Sequence, residues 1–244
     1  MIPASTFVPD WPAPARVHAL QTTRQGGMSR APYASFNLGT HVGDAAAAVA
    51  ENRRQLASML PGEPLWLEQV HGCAVVLAEQ AAGTPRADAA VTRRAGKVCA
   101  VMTADCLPLL LCDAAGSVVA AAHAGWRGLA DGVIEATLRA MQVDAAQAMA
   151  WLGPAIGPQA FEVGGEVREQ FVAQQAQAAK AFVPTTPGKW RADLYQLARL
   201  RLQAAGVQQI SGGKLCTHGD AERFFSYRRD GQTGRMATLI WLED

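Results

Sequence analysis

"TADCLPLLLCD", from Thr103 to Asp113, is apolar at almost every position after its Asp-Cys pair. "AAAHAGWRGL", from Ala120 to Leu129, is an apolar run that ends in a histidine, a glycine turn, a tryptophan and an arginine. Strands that are apolar throughout usually have both faces covered. The two stretches therefore predict neighbouring strands buried inside a layered protein, with polar groups at their ends.

Strand and helix patterns alternate along the rest of the chain. Further strands are predicted over PLWLEQVHG, AVVLAE, KVCAVMTA, SVVAAAH, MAWLGPAIG, KLCT and RMATLIWL. Helices are predicted over GDAAAAVAENRRQLASML, with Asp44 as its N-cap, over GLADGVIEATLRAM, and at about 166–180 and 193–205. Because no linker-like segment separates these patterns, we expect one α/β domain over residues 1–244, with layered sheets.

Composition and charge exclude several classes of protein. Half of the 244 residues are hydrophobic, which is enough for a sizeable core, and the formal net charge of +1 predicts neither a nucleic-acid partner nor a membrane surface. No apolar stretch reaches the roughly 18–20 residues of a membrane span. The first residues, MIPASTFVPDWPAPAR, do not resemble a secretory signal. Five cysteines are an odd number, which favours reduced thiols, and we expect a cytoplasmic protein.

Metal ligands are predicted at the ends of three strands. His71 ends LWLEQV, Cys106 precedes LPLLLC and His123 ends VVAAA. Two imidazoles and a thiolate leave a fourth tetrahedral position open, as in catalytic zinc sites. The separations of 35 residues (106 − 71) and 17 residues (123 − 106) match no short zinc-finger pattern. A buried cysteine and two hydrogen-bonded core histidines therefore remain the alternative.

The other cysteines have simpler interpretations. Cys99 and Cys112 lie in apolar strands and are expected to pack as small hydrophobic residues. Cys73 is two residues beyond His71 and so is near enough in sequence to approach the site. Cys216 and His218 form a C-x-H pair, for which an ordinary transition from strand to loop is the simpler explanation.

Arginines are the candidates for binding an anionic substrate. Arg24 lies beside a Gly-Gly turn and Arg127 lies at a predicted helix start, while RFFSYRRDGQTGR clusters Arg223, Arg228, Arg229 and Arg235 around aromatic residues and a turn. Guanidinium groups suit phosphate, and a helix start offers free N–H groups. Solvated surface arginines are the alternative. Asn37 and the pair Asn52–Arg53 are polar residues in otherwise structural surroundings and are candidates for lining a site, but no chemistry is assigned to them.

Blocks spread over nearly the whole chain resemble those of a known family. They are TRQGGMS, FNLGTHVGD, NRRQL, LEQVHG, ADAAVT, TADCLPLLL, AAAHAGWRGL, LGPAIGP, FEVG, DL and RFFSYRRDGQTGR. The chain resembles the family variously called laccase-domain proteins, polyphenol oxidases, peptidoglycan editing factors and multi-activity purine nucleoside phosphorylases. The family's metal ligands correspond to His71, Cys106 and His123. The stretch CTHGDAERFF departs from the usual pattern at His218 and Gly219, which leaves the role of that loop open.

The resemblance implies a fold and an activity. The fold is a layered α/β/β/α sandwich with mixed sheets. The activity is phosphorolysis of adenosine, inosine and methylthioadenosine, together with adenosine deamination, and the partners are purine nucleosides and phosphate. We expect zinc as the cofactor, because it lowers the pKa of bound water and so supplies the nucleophile for deamination, while copper is possible.

Catalytic roles are expected for Cys106, His123 and Asp105. Neighbouring residues of a strand point to opposite faces, so Asp105 is expected to orient a ligand or a loop. Two alternatives to a zinc enzyme stay open. One is a peptidoglycan-precursor editing hydrolase, with Cys106 as nucleophile and His123 as base. The other is a copper-dependent polyphenol oxidase, although five histidines are few for a multicopper centre.

Overall fold

Two large sheets lie face to face at the centre of the protein. A computed structural model describes residues 5–244. The strands are β1 (Thr6–Phe7), β2 (Val17–Thr22), β3 (Pro64–Leu65), β4 (Val75–Leu77), β5 (Ala89–Thr92), β6 (Val98–Thr103), β7 (Leu107–Asp113), β8 (Val119–Ala124), β9 (Ala148–Leu152), β10 (Glu162–Gly164), β11 (Phe182–Pro184), β12 (Lys189–Ala192), β13 (Gln209–Gly212) and β14 (Met236–Leu242). The helices are α1 (Ala46–Ala57), α2 (Trp126–Asp131), α3 (Val133–Met141), α4 (Gly165–Gln174), α5 (Leu194–Ala204) and α6 (Tyr227–Asp230), with 3-10 turns at Ala145–Gln147 and Ala176–Ala181.

The sheets combine parallel and antiparallel neighbours. One has the order β1-β2-β14-β6-β3, and the other has the order β13-β9-β7-β8-β5-β4. The pairs β3–β6, β4–β5 and β9–β13 are parallel, while the remaining pairs in these two sheets are antiparallel. A small antiparallel sheet, β10-β12-β11, lies beside them. Helix α1 packs on the first large sheet and α2 to α5 pack on the second, which confirms the layered α/β/β/α sandwich with mixed sheets.

Strand β7 shows why its sequence is apolar throughout. Leu109 and Leu111 pack among the helices, whereas Leu110 and Cys112 pack between the two large sheets. All four side chains are fully buried. Successive side chains of a strand point to opposite faces, so a strand with both faces covered needs apolar residues at every position. The prediction of two buried neighbouring strands, β7 and β8, is confirmed.

The helix predictions hold in outline and fail at several ends. The N-cap of α1 is Ala45, so the prediction for Asp44 is wrong. The Asp44 carboxylate instead accepts hydrogen bonds from the Ala45 N–H at 2.7 Å and from Asn37 Nδ2 at 2.9 Å. The helix predicted over GLADGVIEATLRAM is divided into α2 and α3 at Gly132, whose φ of 102° suits glycine.

The later elements also differ in part from the predictions. The helix predicted at 166–180 ends at Gln174 and continues as a 3-10 turn. The segment KLCT forms no strand, since Cys216 makes only an isolated bridge with Ala155. Helix α5 matches its prediction, and Asp193 caps it by accepting the Gln196 N–H at 3.0 Å. No helix within residues 5–244 has the length and apolar character to cross a membrane.

Candidate active site and metal centre

His71, Cys106 and His123 converge at one point. Their ligand atoms all lie within 4.8 Å of one another, and among residues 5–244 they are the one group arranged in this way. Cys106 Sγ is 3.7 Å from His71 Nε2, and the two imidazole rings are nearly perpendicular, with centroids 4.7 Å apart. The exposed His71, the half-buried Cys106 and the buried His123 therefore form a pocket that is open on one side.

Two of these residues lie where the strand pattern predicts, and the third does not. Cys106 directly precedes β7, and His123 is the second-last residue of β8. The prediction that His71 ends a strand is wrong, because β3 ends at Leu65 and His71 lies in the following loop with a φ of 61°. A left-handed conformation of this kind is uncommon for a residue with a side chain and needs support from its surroundings.

Asp88 provides that support and joins two of the ligands. Its fully buried carboxylate accepts hydrogen bonds from the N–H groups of Val70 at 3.2 Å, His71 at 2.9 Å and Gly72 at 2.7 Å. It also accepts one from His123 Nδ1 at 2.8 Å, which leaves Nε2 of that ring facing the pocket. Burial alone would raise the pKa of Asp88, but the hydrogen bonds from His123 and the loop lower it. One carboxylate thus orients a ligand and fixes the loop of another.

Charges within the cluster favour a thiolate. Burial alone would raise the pKa of the Cys106 thiol, but the His123 charge and hydrogen bonds from both histidines lower it to about 6. Burial alone would lower the pKa of His123, but the Cys106 thiolate and Asp88 raise it to about 9. The thiolate is the form that binds metals and attacks electrophiles, so the cluster suits either chemistry.

Gly125 leaves room for a ligand beside the cluster. A Cβ at this position would lie 3.0 Å from both Cys106 Sγ and His71 Cδ2, and 3.4 Å from His123 Nε2. Its φ of −58° is open to any residue, so space and not backbone conformation calls for glycine here. Gly125 is therefore part of the site, because a side chain at this position would crowd the three ligand residues.

Asp105 holds the loops on the C-terminal side of the site. It has a φ of 92° and a buried side chain. Its carboxylate accepts hydrogen bonds from Thr217 Oγ1 at 2.6 Å, Ser226 Oγ at 3.0 Å and the Arg228 N–H at 2.6 Å. These contacts connect the residue before Cys106 to the start of α6. A role for Asp105 in orienting a loop accords with this position, whereas a direct role in the chemistry stays a prediction.

A cavity of about 790 Å³ surrounds the cluster. Its volume lies within the usual range of roughly 300–1,000 Å³ for ligand sites. Arg127 and Arg228, both exposed, line it as predicted candidates for substrate or phosphate binding. Arg24, the third predicted candidate, is not among the lining residues. Its guanidinium instead donates to the carbonyls of Ala34 at 3.0 Å and Ala221 at 3.1 Å.

The cavity is also lined by two arginines that the sequence marked only as candidates and by a histidine to which it gave no role. Arg53, Arg235 and His41 reach the cavity from segments that are distant in the chain. In the NRRQL block, Asn52 and Arg53 have separate positions, and Arg53 is the one that lines the cavity. Asn52 is buried and ties the loop of Asn37 to α1 by donating to the Asn37 carbonyl at 2.8 Å.

The remaining cysteines do not join the metal group. Cys99 and Cys112 are fully buried in strands, which confirms their interpretation as small hydrophobic residues. Cys73 Sγ lies 3.6 Å from the Gly128 carbonyl. Cys216 Sγ accepts two backbone N–H groups at 3.3 Å each, outside the cluster.

Residues 18–243 match the model of a protein family described as multi-copper polyphenol oxidoreductase laccase. The chain belongs to this family. The predicted resemblance to the laccase-domain family is therefore confirmed. It rests on almost the full length of the chain and not on the motifs around the cluster alone.

Proteins with related sequences carry a different name. The chain is 57% identical to a purine nucleoside phosphorylase of Pseudomonas aeruginosa, over 98% of each protein. It is 56% identical to the purine nucleoside phosphorylase YfiH of Escherichia coli, over 97% of this chain and 98% of that one. A crystal structure of a Neisseria meningitidis protein aligns with a TM-score of 0.96 at 53% identity, over 98% of this chain and 100% of that chain.

Proposed function

We propose that the protein is a zinc-dependent purine nucleoside phosphorylase that cleaves adenosine, inosine and methylthioadenosine and also deaminates adenosine. The observation that carries this proposal is the cavity itself, in which a His-Cys-His group and several arginines face one space. The names of relatives at 50–57% identity over nearly their full lengths support the phosphorylase assignment. The deaminase activity is proposed from the family resemblance, and the choice of zinc from the chemistry of the site.

His71, Cys106 and His123 fit a zinc ion. Two imidazole nitrogens and a thiolate are ligands that zinc accepts, and a carboxylate behind one imidazole is the usual outer support of such a site. A zinc ion held there would act as a Lewis acid and lower the pKa of water, which is the chemistry that hydrolysis at C6 of adenine requires. We propose that the cytoplasm, where thiols stay reduced, is the compartment in which Cys106 serves as a ligand.

Phosphorolysis places different demands on the chain. A phosphate oxygen forms a bond to the ribose C1′, the bond from C1′ to the purine breaks, and the purine leaves with the electron pair and gains a proton. The protein must hold the phosphate, orient the ribose and stabilise the leaving base. Arg127 and Arg228 are proposed to contact the polar groups of the bound substrates. The Arg228 guanidinium is fixed by a bond to the Glu162 carbonyl at 3.0 Å.

Product analysis tests the proposal directly. Purified protein of measured metal content is incubated with adenosine, with and without inorganic phosphate. We expect adenine and ribose 1-phosphate only when phosphate is present, and deamination products in both cases: inosine without phosphate, and inosine together with hypoxanthine with phosphate. A zinc content near one equivalent is expected, and its removal by a chelator should abolish both activities until zinc is restored. Phosphate-independent release of adenine, or full activity without metal, would contradict the proposal.

A thiol hydrolase is the second candidate, and one observation favours it. Cys106, His123 and Asp88 form a chain in which the histidine contacts both the thiol and the carboxylate, and the pKa of the thiol is lowered. This arrangement resembles the nucleophile, base and orienting acid of cysteine hydrolases. A hydrolase that edits peptidoglycan precursors would use this arrangement of nucleophile, base and acid. Activity of metal-free protein on such precursors, with a covalent adduct on Cys106, would support this candidate over the metal enzyme.

The residues available as metal ligands give less support to copper chemistry than to zinc chemistry. Of the five histidines, two are in the metal group, while a multicopper centre needs many more. A single copper ion bound by His71, Cys106 and His123 is compatible with the ligand types. Oxidation of phenols by copper-loaded protein, compared with zinc-loaded protein, measures this possibility.

A further inference from the structure

Two arginines of the cavity, Arg53 and Arg235, have no carboxylate partner. Neither guanidinium forms an ion pair with an acid within residues 5–244. Arg53 is part of α1, Arg235 directly precedes β14, and both are half-buried where they line the cavity. Taking a cation out of water without a counterion costs free energy. The pair therefore provides a favourable position for an anion.

One loop fixes both arginines. The Leu38 carbonyl accepts a hydrogen bond from Arg53 Nε at 2.9 Å, and the Leu38 N–H donates to the Arg235 carbonyl at 3.1 Å. The Arg235 N–H donates in turn to Asn37 Oδ1 at 2.8 Å. Both residues are thus anchored to the same short segment, and both line the same cavity. A preorganised pair loses less entropy when it binds a ligand.

Several donors of the pair remain available. The Arg53 guanidinium lies over the Trp66 ring, 4.1 Å from its centroid, and its Nη2 contacts only Met102 Sδ, at 3.9 Å. Arg235 uses Nη1 for two neighbouring carbonyls, both at 3.0 Å. No acceptor in the described part of the chain takes a hydrogen bond from Nη1 of Arg53 or Nη2 of Arg235. Planar groups with free N–H donors suit the oxygens of a phosphate.

Besides the two arginines and the metal group, one histidine and two acids line the cavity. Burial lowers the pKa of His41, which also lines the cavity, and the charges of Arg235 and Arg53 lower it further. His41 is therefore neutral near pH 7 and can give or accept a hydrogen bond. Two acids line the cavity as well. Asp105 is occupied by its own hydrogen bonds, and Glu68 is exposed at the edge.

We propose that Arg53 and Arg235 bind a phosphate dianion, and that this is the inorganic phosphate of phosphorolysis. The choice of inorganic phosphate rests on the proposed function, whereas the binding of a phosphate group rests on the two arginines. Arg235 also lies in the field of Cys106: burial lowers the pKa of its guanidinium, and the thiolate opposes that change. Both arginines line the same cavity as the metal group, so the bound anion shares that cavity with a bound ribose.

Binding measurements test the site without relying on turnover. Zinc-loaded wild-type protein, Arg53→Gln and Arg235→Gln are titrated with inorganic phosphate by calorimetry. Each substitution should weaken phosphate binding about 10- to 100-fold. Arg54→Gln is the matched control, because Arg54 is the next residue of α1, is exposed and pairs with Glu51, so phosphate binding should not change. Wild-type affinity in both Arg53→Gln and Arg235→Gln would overturn the proposal.

A conservative variant separates a lost contact from a lost fold. Arg53→Lys keeps the charge but loses the fork and its stacking on Trp66, so we expect phosphate affinity between those of wild type and Arg53→Gln. Melting temperatures of all variants show whether each is folded. A folded Arg53→Lys that binds phosphate no better than Arg53→Gln still supports the site, since it assigns the interaction to the planar fork.

Kinetics and a nucleotide distinguish the remaining possibilities. The KM for phosphate should rise in Arg53→Gln and Arg235→Gln more than in Arg127→Gln, and a rise in Arg127→Gln alone would overturn the proposal. Binding of AMP through the pair without binding of inorganic phosphate would assign the position to a nucleotide and overturn the choice of inorganic phosphate. If wild type binds phosphate through the pair but shows no phosphate-dependent cleavage, the proposed function fails while the phosphate site stands.

Discussion

Replacing Asp88 by Asn should weaken metal binding, because an amide cannot do what this carboxylate does. Oδ1 of Asp88 accepts from the His71 N–H and His123 Nδ1, and Oδ2 accepts from the Val70 and Gly72 N–H groups. All four neighbours are donors. An asparagine has one oxygen and one NH₂ group, so in either orientation two donors face its NH₂ group.

The magnitude follows from the two lost hydrogen bonds. A buried donor left without a partner costs about 1–3 kcal/mol, so two lost bonds would cost about 2–6 kcal/mol. The cost is expected at the lower end, since the amide can turn its NH₂ group toward the exposed Val70 and keep its oxygen on the two histidines. About 2–3 kcal/mol corresponds to a melting temperature lower by about 4–12 °C in a chain of this size. Because an uncharged amide then replaces the carboxylate that accepts a hydrogen bond from His123 Nδ1, zinc binding should weaken about 10- to 100-fold.

Asp113→Asn is the matched control for this substitution. Asp113 is also a buried aspartate, and its Oδ1 accepts the N–H groups of Ser117 at 2.7 Å and Val118 at 3.0 Å. Its Oδ2 faces the Ser117 hydroxyl at 2.7 Å, which can accept a hydrogen bond from an amide. We therefore expect zinc affinity to stay at the wild-type value in Asp113→Asn. Zinc affinity is measured by competition with a chromophoric chelator, and an Asp88→Asn protein with wild-type affinity and melting temperature would refute the reasoning.

Three further predictions concern the cluster itself. Gly125→Ala should reduce zinc affinity by about 10-fold or more, because the added Cβ lies against the side chains of the three metal ligands. The melting temperature of metal-free protein should stay nearly unchanged, because the atoms nearest to the Cβ belong to side chains and not to the backbone. Zinc binding at the wild-type level would show that the added Cβ does not crowd the ligands. Elemental analysis of Cys106→Ala should show that most of the zinc is lost, while its circular dichroism spectrum stays that of the wild type. Cys73→Ala should keep the metal. A full equivalent of zinc in Cys106→Ala would show that the ligand assignment is wrong. In metal-free protein, iodoacetamide should modify Cys106 with a midpoint near pH 6, since its pKa is lowered to about 6 and the thiolate persists above that pH; a midpoint at pH 8–9, or no protection by zinc, would contradict this prediction.

The layered core was predictable because its signal is local. Residues 107–113 and 119–124 are apolar at nearly every position, and burial of both faces follows from the period of a strand alone. The same pattern placed Cys106 and His123 at strand ends. Helix ends were less predictable, since Gly132 divides a continuous apolar stripe through its backbone conformation.

The rest of the site depends on contacts between distant residues. His71 was chosen correctly as a member of the group but for a wrong reason, because its loop is held by Asp88 and not by a strand ladder. Asp88 lies in the ADAAVT block of the family resemblance, but the sequence assigns no task to its carboxylate. Arg53 and Arg235 line one cavity because α1 and the start of β14 are both hydrogen-bonded to one loop. Pairings of this kind are set by the tertiary fold, which local periodicity does not encode.

The position of β14 has a consequence for how the protein is made. This strand lies between β2 and β6, although it follows both of them in the chain. Until β14 has been translated, the edges of β2 and β6 that it pairs with have no partner strand. Exposed edges of this type favour association with other chains. Arg235 emerges just ahead of β14, so the nascent polypeptide completes its sheet and its cavity in the same late step of synthesis.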